Sequence, residues 1–221
     1  MPGTKAKKVV LTSLTHAQLE AFVCRQLSLE RYRADQIFSW LHGRMATDFA
    51  QMSNLKKEIR AALAQNTLIE TLDIAKVQKA ADGVIKLALR TQDDHLIETV
   101  LIPEREKLTQ CISTQVGCRM GCRFCATAKL GFARNLTPGE IIAQVYAGRK
   151  LLKKMDVNSG ADWPTRISNL VYMGMGEPLD NYPNTIASLE ILLHPRGANF
   201  SSRRITLSTA GHVDGLKKLG A

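Results

Sequence analysis

The chain has 221 residues, of which 45% are hydrophobic and 23% charged, values typical of a globular protein with one or two domains. No apolar run approaches the roughly 20 residues that a membrane span needs, and the N-terminus lacks the pattern of a secretory signal. The net charge of +10 favours a polyanionic partner, nucleic acid before membrane. We therefore expect a cytoplasmic protein with no membrane partner.

Helical periodicity is the main feature of about residues 12–66. Thr15 followed by Gln18 forms a capping-box pattern, and apolar residues then recur at helical spacing. Two later stretches repeat the same period. The sequence thus predicts a small helical domain over residues 1–69. Cys24 lies in its first helix and is predicted to be a buried structural thiol.

From about residue 70 the apolar residues alternate with polar ones, which is the period of a half-buried strand. Asp82 and Gly83 form a hairpin signal between two such stretches. The segments "LIETVLI" and "LTQCIST" are two further strand candidates, joined through "PEREK". We predict antiparallel strands over residues 70–110 that lead into a cysteine-rich segment.

After the cysteines, strand and helix patterns alternate. A helix is predicted from Pro138, a loop over residues 156–165, a strand in "ISNLVYMGMG" and a helix over residues 183–193. The strand "RRITLSTAG" and a short helix after His212 follow. Three strand–helix units predict an α/β fold with a parallel sheet or part of a barrel over residues 111–221.

Four of the five cysteines lie within residues 111–125, which is unlike a disulfide framework and indicates metal binding or thiol chemistry. Cys118, Cys122 and Cys125 offer three ligands with no second pair downstream. Three thiolates suit a [4Fe-4S] cluster with one iron open to a small molecule. A zinc site completed by His194 or His212 is the alternative.

Several sequence blocks together point to a known family. The spacing Cys-x3-Cys-x2-Cys is similar to that of the radical S-adenosylmethionine (SAM) superfamily. The blocks "CISTQVGCRMGCRFCATAKLGFARNL", "GMGEPL" and "ITLSTAG" resemble the RlmN/Cfr family of RNA adenine methyltransferases, and the resemblance covers nearly the whole chain. It implies a partial radical SAM (β/α) barrel behind a helical N-terminal domain of RNA-binding type and antiparallel strands.

The resemblance also implies cofactors and partners. Cys118, Cys122 and Cys125 would hold the [4Fe-4S] cluster, whose open iron chelates SAM, and Gly176 and Glu177 would bind the methionine end of SAM. The substrate would be adenine C2 in 23S rRNA and often in tRNA. A flavodoxin or ferredoxin system would supply electrons, and we expect a monomer.

Three further residues receive roles only by resemblance. Ser208 matches a cofactor-binding position. Cys111 matches a resolving cysteine: a methyl group first moves to a second cysteine, and a transient disulfide between Cys111 and that methyl carrier releases the product. Glu98 matches a proposed proton acceptor for the adenine adduct. The alternatives are an ordinary strand-end serine for Ser208, a packed strand cysteine for Cys111 and a solvent-facing strand position for Glu98.

Alternatives remain at this stage. A metal-stabilised, non-catalytic RNA-binding module is one, a C8-specific Cfr-like methyltransferase another, and a radical SAM enzyme acting on a protein or small molecule a third. Lys129, Arg134, Arg203 and Arg204 are basic residues that could contact phosphates or simply face solvent.

The family continues well past this chain's last residue and carries its methyl-bearing cysteine there, whereas this sequence has no cysteine after Cys125. The chain is therefore either a fragment of a longer enzyme, which we favour, or a shortened relative without full turnover. In both cases we expect these 221 residues alone not to methylate RNA. Methyl incorporation into ribosomal RNA by them would contradict this expectation.

Overall fold

A computed structural model describes residues 8–156 and 164–220. The chain starts with strand β1 (Val9–Val10), which pairs in parallel with β2 (Thr67–Leu68) and so brackets the helical N-terminal segment. The helices between these two strands are α1 (His16–Gln26), α2 (Tyr32–Phe38), which continues into a π-helical turn at Ser39–Gly43, and α3 (Lys57–Asn66).

The start of α1 confirms the predicted capping box. Thr15 Oγ1 accepts a hydrogen bond from the Gln18 backbone N–H at 3.4 Å, and Gln18 Oε1 accepts one from the Thr15 N–H at 3.0 Å. Leu19 and Val23 form the buried side of the helix. The prediction of a buried Cys24 is wrong, because Cys24 lies about 100° around the helix from Val23 and is exposed.

The rest of the chain builds the sheets and their covering helices. In chain order the elements are β3 (Asp73–Lys79), β4 (Ile85–Arg90), β5 (Leu96–Glu104), β6 (Lys107–Cys111), β7 (Gln115–Gly117), β8 (Phe132–Asn135), α4 (Pro138–Asp156), β9 (Asn169–Tyr172), α5 (Tyr182–Leu193), β10 (Ile205–Leu207) and α6 (Val213–Leu219). Most of the loop predicted over residues 156–165 lies outside the described residues.

A six-stranded mixed sheet organises the molecule, in the order β10-β9-β6-β5-β4-β3. Strands β3 to β6 are antiparallel neighbours, whereas β6, β9 and β10 run parallel. Strands β9 and β10 are each followed by a helix, and β6 is followed by α4 after the short β7–β8 pair, so the predicted α/β class is confirmed. The predicted division of the chain at residues 69 and 110 stays a prediction.

Apolar and polar residues alternate along the strands, and the apolar side chains mark the face of the sheet that is covered. Ile85, Leu87 and Leu89 of β4 are buried on one face, as the period of two predicts. On the same side, Gln110 of β6 donates from Nε2 to the carbonyl oxygen of Gln144 in α4 at 2.8 Å. Helices therefore cover this face, and the carboxyl ends of β6, β9 and β10 meet at one edge.

Candidate functional site

A cavity of about 260 Å³ lies at the carboxyl ends of β9 and β10. Three segments form its walls: the cysteine-rich segment after β7, the turn after β9 and the turn after β10. The lining residues are Cys118, Met120, Cys122, Phe124, Cys125, Thr127, Tyr172, Met173, Gly174, Gly176, Glu177, Pro178, Ser208, Thr209 and Ala210. Six of the eight predicted site residues are thus brought to one place.

The three clustered cysteines are free thiols, each partly exposed. Burial raises the pKa of Cys118, whereas hydrogen bonding from the Ala128 backbone lowers the pKa of Cys125. Within residues 8–156 and 164–220, no three Cys, His, Asp or Glu side chains are grouped so that they could hold a metal ion. The three thiols line the same cavity.

Gly117 and Gly131 lie at the two ends of the cysteine-rich segment, where β7 pairs with β8. The Cys118 N–H donates to the Gly131 carbonyl at 2.8 Å. Gly117 has φ +74°, and a Cβ placed on it would lie 1.9 Å from the Gly131 carbonyl oxygen. Only glycine meets both conditions at this position, so the two ends of the segment are held in close contact.

The turn after β9 buries the Glu177 carboxylate, which is 3% exposed. Its Oε1 accepts from the Leu179 N–H at 2.9 Å, and its Oε2 accepts from the Ala210 N–H at 2.7 Å. The carboxylate thereby ties the turn after β9 to the turn after β10. Gly176, with φ +100°, allows the close approach, since a Cβ there would lie 2.6 Å from Gln115 Cβ. Ser208 is exposed in the cavity wall.

Cys111 and Glu98 do not line this cavity. Cys111 pairs across strands with Val100, two residues from Glu98, so both lie on the sheet face that the helices leave uncovered. Burial raises the pKa of the Cys111 thiol, partly offset by hydrogen bonding from the backbone of Met173, a cavity residue. Glu98 forms an ion pair with Lys86 at 2.9 Å.

An ion-pair network that the sequence did not reveal supports the site. Arg134 in β8 donates to both carboxylate oxygens of Asp93, at 2.6 and 2.7 Å, and to both oxygens of Glu140, at 2.7 and 2.8 Å. Arg134, which the sequence suggested as a phosphate contact, is therefore paired with two carboxylates of the same chain. Asp93 lies 41 residues away along the chain, a separation that no local pattern reports.

Two buried amides, also missed from the sequence, position the cavity turns. Gln115 accepts from the Glu177 N–H at 2.9 Å and donates to Asp180 at 2.7 Å. Asn181 donates to the backbone oxygens of Thr114 and Leu136, at 2.8 and 2.9 Å. Their only signal in the sequence is a polar residue beside an apolar strand or helix.

The donor set of the cavity suits an iron–sulfur cluster better than other metal centres. Three thiolate donors are soft ligands, and their number leaves one iron of a four-iron cluster without a protein ligand. The glycine-lined turn and the Glu177 carboxylate border the same space, where an amine-bearing small molecule could be held. The cavity therefore has the parts for a cluster and a second, organic cofactor.

A solved structure shares the fold that places these parts. A radical SAM methyltransferase from Sphaerobacter thermophilus matches with a TM-score of 0.83 and 40% sequence identity, over 96% of this chain and 60% of that chain. The chain thus shares the fold of about three fifths of a radical SAM methyltransferase.

Sequence comparison points to one group within that class. Residues 9–69 match the ribosomal RNA large subunit methyltransferase N-terminal domain. The dual-specificity RNA methyltransferases RlmN of Desulfotalea psychrophila and Solidesulfovibrio magneticus are 44% and 45% identical to this chain, over 98% and 95% of it and over 59% and 58% of their own lengths. The resemblance to the RlmN/Cfr family is thereby confirmed.

The chain spans a little over half the length of these curated relatives, 59% and 58%. In the described part of the chain, no helix has both the length and the apolar character that crossing a membrane requires.

Proposed function

We propose that the chain forms the cofactor-binding part of a radical SAM methyltransferase that modifies C2 of adenine in 23S rRNA and in tRNA. The observation that carries the proposal is the cavity in which three thiols, the Gly176 and Glu177 turn and Ser208 face the same space. Similarity to dual-specificity RNA methyltransferases supports the RNA substrate. The choice of C2 over C8 rests on the resemblance of the sequence blocks alone.

Cys118, Cys122 and Cys125 would hold a [4Fe-4S] cluster, and Gly176, with its neighbour Glu177, would hold SAM beside it. When bound, these two cofactors supply the electron and the radical chemistry that attack on a poorly nucleophilic ring carbon needs. The protein's contribution is position. The Glu177 carboxylate already accepts a backbone hydrogen bond on each oxygen, and each oxygen keeps a lone pair for an ammonium group.

Cys111 and Glu98 have separate proposed roles on the uncovered face of the sheet. Once the transferred carbon is joined to the adenine, Cys111 would attack the sulfur of the methyl-carrying cysteine. The sulfur–carbon bond breaks, the carbon keeps the electron pair and takes up a proton, and a transient disulfide forms, a step that needs an accessible thiol. Burial raises the pKa of Cys111, so its thiol stays protonated until a base or a partner approaches. Glu98 would accept the proton from the adenine adduct. Lys86 Nζ lies 2.9 Å from one of the Glu98 oxygens, Oε1.

The other proposed partners follow from the same resemblance. A flavodoxin or ferredoxin would donate electrons, and the protein would act as a monomer in the cytoplasm. The net charge of +10 supports an RNA substrate, because phosphate neutralisation dominates nucleic-acid affinity.

The cluster assignment is tested by anaerobic reconstitution, iron and sulfide analysis and EPR of the reduced chain, with and without SAM. We expect about four irons per chain, as a single [4Fe-4S] cluster requires, and a spectrum that SAM perturbs. Changing Cys118, Cys122 or Cys125 to Ala should lower the iron content sharply, because a three-thiolate cluster has no spare ligand.

Cys111→Ala is the matched control, since Cys111 is a thiol outside the cavity. This variant should keep both the iron and the SAM response. Zinc in place of iron, or a cluster that does not respond to SAM, would reject the proposal and favour a metal-stabilised RNA-binding module.

A further inference from the structure

A second cavity, of about 420 Å³, lies at the opposite end of the parallel strands from the cysteine cavity. Its walls come from residues 165–168, which lead into β9, and residues 198–201, which precede β10, together with the C-terminal half of α4. Because β9 has four residues, the two cavities are separated by a strand length of roughly 13 Å or more.

Positive charge dominates this second cavity. Arg149 and Lys153 enter it from α4, Arg166 from the segment before β9 and Arg204 from the segment before β10. Among the described residues, no Asp or Glu side chain lines it. Four cations thus face one concave surface, and no carboxylate of the described residues lines it. Because the cations repel one another, the arrangement favours an anion between them.

Arg149 is the most restrained of the four cations. Its guanidinium lies over the Phe200 ring, 4.9 Å from the ring centroid, and donates to the Ala198 carbonyl at 3.3 Å. Burial lowers its pKa, which is the direction expected for a cation that lacks a compensating anion. Packing therefore holds the guanidinium at the cavity wall, with donors left over for a ligand.

The positive surface continues along α4 through two adjoining cavities of about 330 and 210 Å³. The larger shares Lys153 with the second cavity and adds Arg44 and Lys150, and the smaller shares Lys150. Glu70 and Asp73 are the carboxylates that line these two cavities in the described part of the chain. Burial raises the pKa of Glu70, which already accepts a hydrogen bond from the Thr137 hydroxyl at 2.8 Å.

We propose that this basic groove, defined by Arg44, Arg149, Lys150, Lys153, Arg166 and Arg204, binds the sugar–phosphate backbone of RNA at a distance from the reacting adenine. A stripe of cations over three joined cavities matches the repeated phosphates of a polymer better than one small anion. Its position at the other end of the strands means that it would contact a different part of the RNA from the cysteine cavity. The inference rests on the proposed function in taking the polymer to be RNA.

The test is fluorescence anisotropy of a labelled RNA hairpin with the 221-residue chain, measured over a series of salt concentrations. The groove variant is Lys153→Gln with Arg166→Gln. Both residues line the second cavity, and no carboxylate of the described residues lines it with them. The matched control is Lys107→Gln with Arg105→Gln. These are one exposed lysine and one exposed arginine outside the groove, so both double variants carry the same net charge.

We expect the groove variant to weaken binding about tenfold at 0.1 M salt and to make the log–log salt dependence shallower by about 1.5, because each lost phosphate contact removes roughly 0.7–0.9 from the slope. The control should change the dissociation constant about twofold or less. Equal losses of RNA affinity in the two variants would indicate that RNA responds to the overall positive charge, and would overturn the proposal that this groove binds it. Absence of RNA binding by the unchanged chain would also overturn it.

Inorganic phosphate, added in a thermal-shift series, separates a small-anion pocket from an RNA surface. Stabilisation by millimolar phosphate that the groove variant loses, with unchanged RNA binding, would assign the cavity to a small phosphate compound and overturn the RNA proposal. The SAM-dependent EPR signal should be the same in both double variants. Failure of the groove is thereby distinguishable from failure of the cofactor site.

Discussion

At the scale of single residues, Glu177 joins two walls of the cysteine cavity. It is buried, and its two oxygens bind backbone N–H groups from two different turns. A carboxylate is the only side chain that offers acceptors on both oxygens without also placing a donor there. The same atoms therefore hold the cavity together and provide the negative charge that an ammonium group needs.

We expect Glu177→Gln to destabilise the chain by about 1–3 kcal/mol, because the amide nitrogen would face a backbone N–H donor in place of an acceptor. Urea unfolding of the wild-type and variant chains measures the difference. Glu190→Gln, an exposed glutamate on α5, is the matched control and should change stability by less than about 0.5 kcal/mol. Equal unfolding midpoints for Glu177→Gln and wild type would show that the two backbone contacts contribute little.

At the scale of elements, Arg134 joins three parts of the chain. It belongs to β8, Glu140 to the first turn of α4, and Asp93 to the turn between β4 and β5. Hydrogen bonds from Arg134 hold the pKa of Asp93 well below its usual range. The planar guanidinium matches two carboxylates at once, a geometry that an ammonium group cannot reproduce. The end of the cysteine segment is thus anchored to a helix and a hairpin.

We expect Arg134→Lys to reduce the free energy of unfolding by about 2 kcal/mol, since several charge-assisted hydrogen bonds are lost while the charge is kept. The variant should also retain less iron after reconstitution, because β8 fixes one end of the cysteine segment. Arg203→Lys, at an exposed position, is the control. If Arg134→Lys were as stable as the wild type, the positive charge at this position, and not the shape of the guanidinium, would maintain the junction.

Elements with a strong local period were predictable from the sequence. The alternation of Ile85, Leu87 and Leu89, and the capping box at Thr15, each rest on residues a few positions apart. The contacts that complete the site are of another kind. Gln115 bonds to Asp180, 65 residues away, and α1 buries one stripe but leaves Cys24 exposed. Such outcomes depend on how elements pack, and a local pattern does not contain that information.

At the scale of the whole molecule, the N-terminal segment is joined to the strand–helix part by buried polar contacts. His42, in the turn after α2, is 0% exposed, and its Nδ1 lies 2.8 Å from the Tyr146 hydroxyl in α4. Among residues 8–156 and 164–220, the His42 Nε2 atom finds no hydrogen-bond partner. Burial and the nearby His194 together lower the pKa of His42 to about 3. The junction is therefore built around a histidine that must stay neutral.

This histidine makes the stability of the molecule depend on pH in one direction. In the unfolded chain His42 takes up a proton near pH 6.5, whereas in the folded chain it does so only near pH 3. Protons thus bind preferentially to the unfolded state between these two values, and stability falls as pH falls through this range. At pH 5 the loss is about 2 kcal/mol, from 1.36 kcal/mol for each pH unit below 6.5.

We expect His42→Gln, which keeps a hydrogen-bonding group for Tyr146 but cannot titrate, to lose less stability than wild type between pH 7 and pH 5. Urea unfolding at the two pH values measures the difference, which should be about 2 kcal/mol smaller in the variant. His95→Gln removes a partly exposed histidine and should keep the wild-type loss. An unchanged loss in His42→Gln would place the acid sensitivity elsewhere. A reduced loss would show that this one buried ring, at the contact between the N-terminal segment and α4, carries the acid sensitivity.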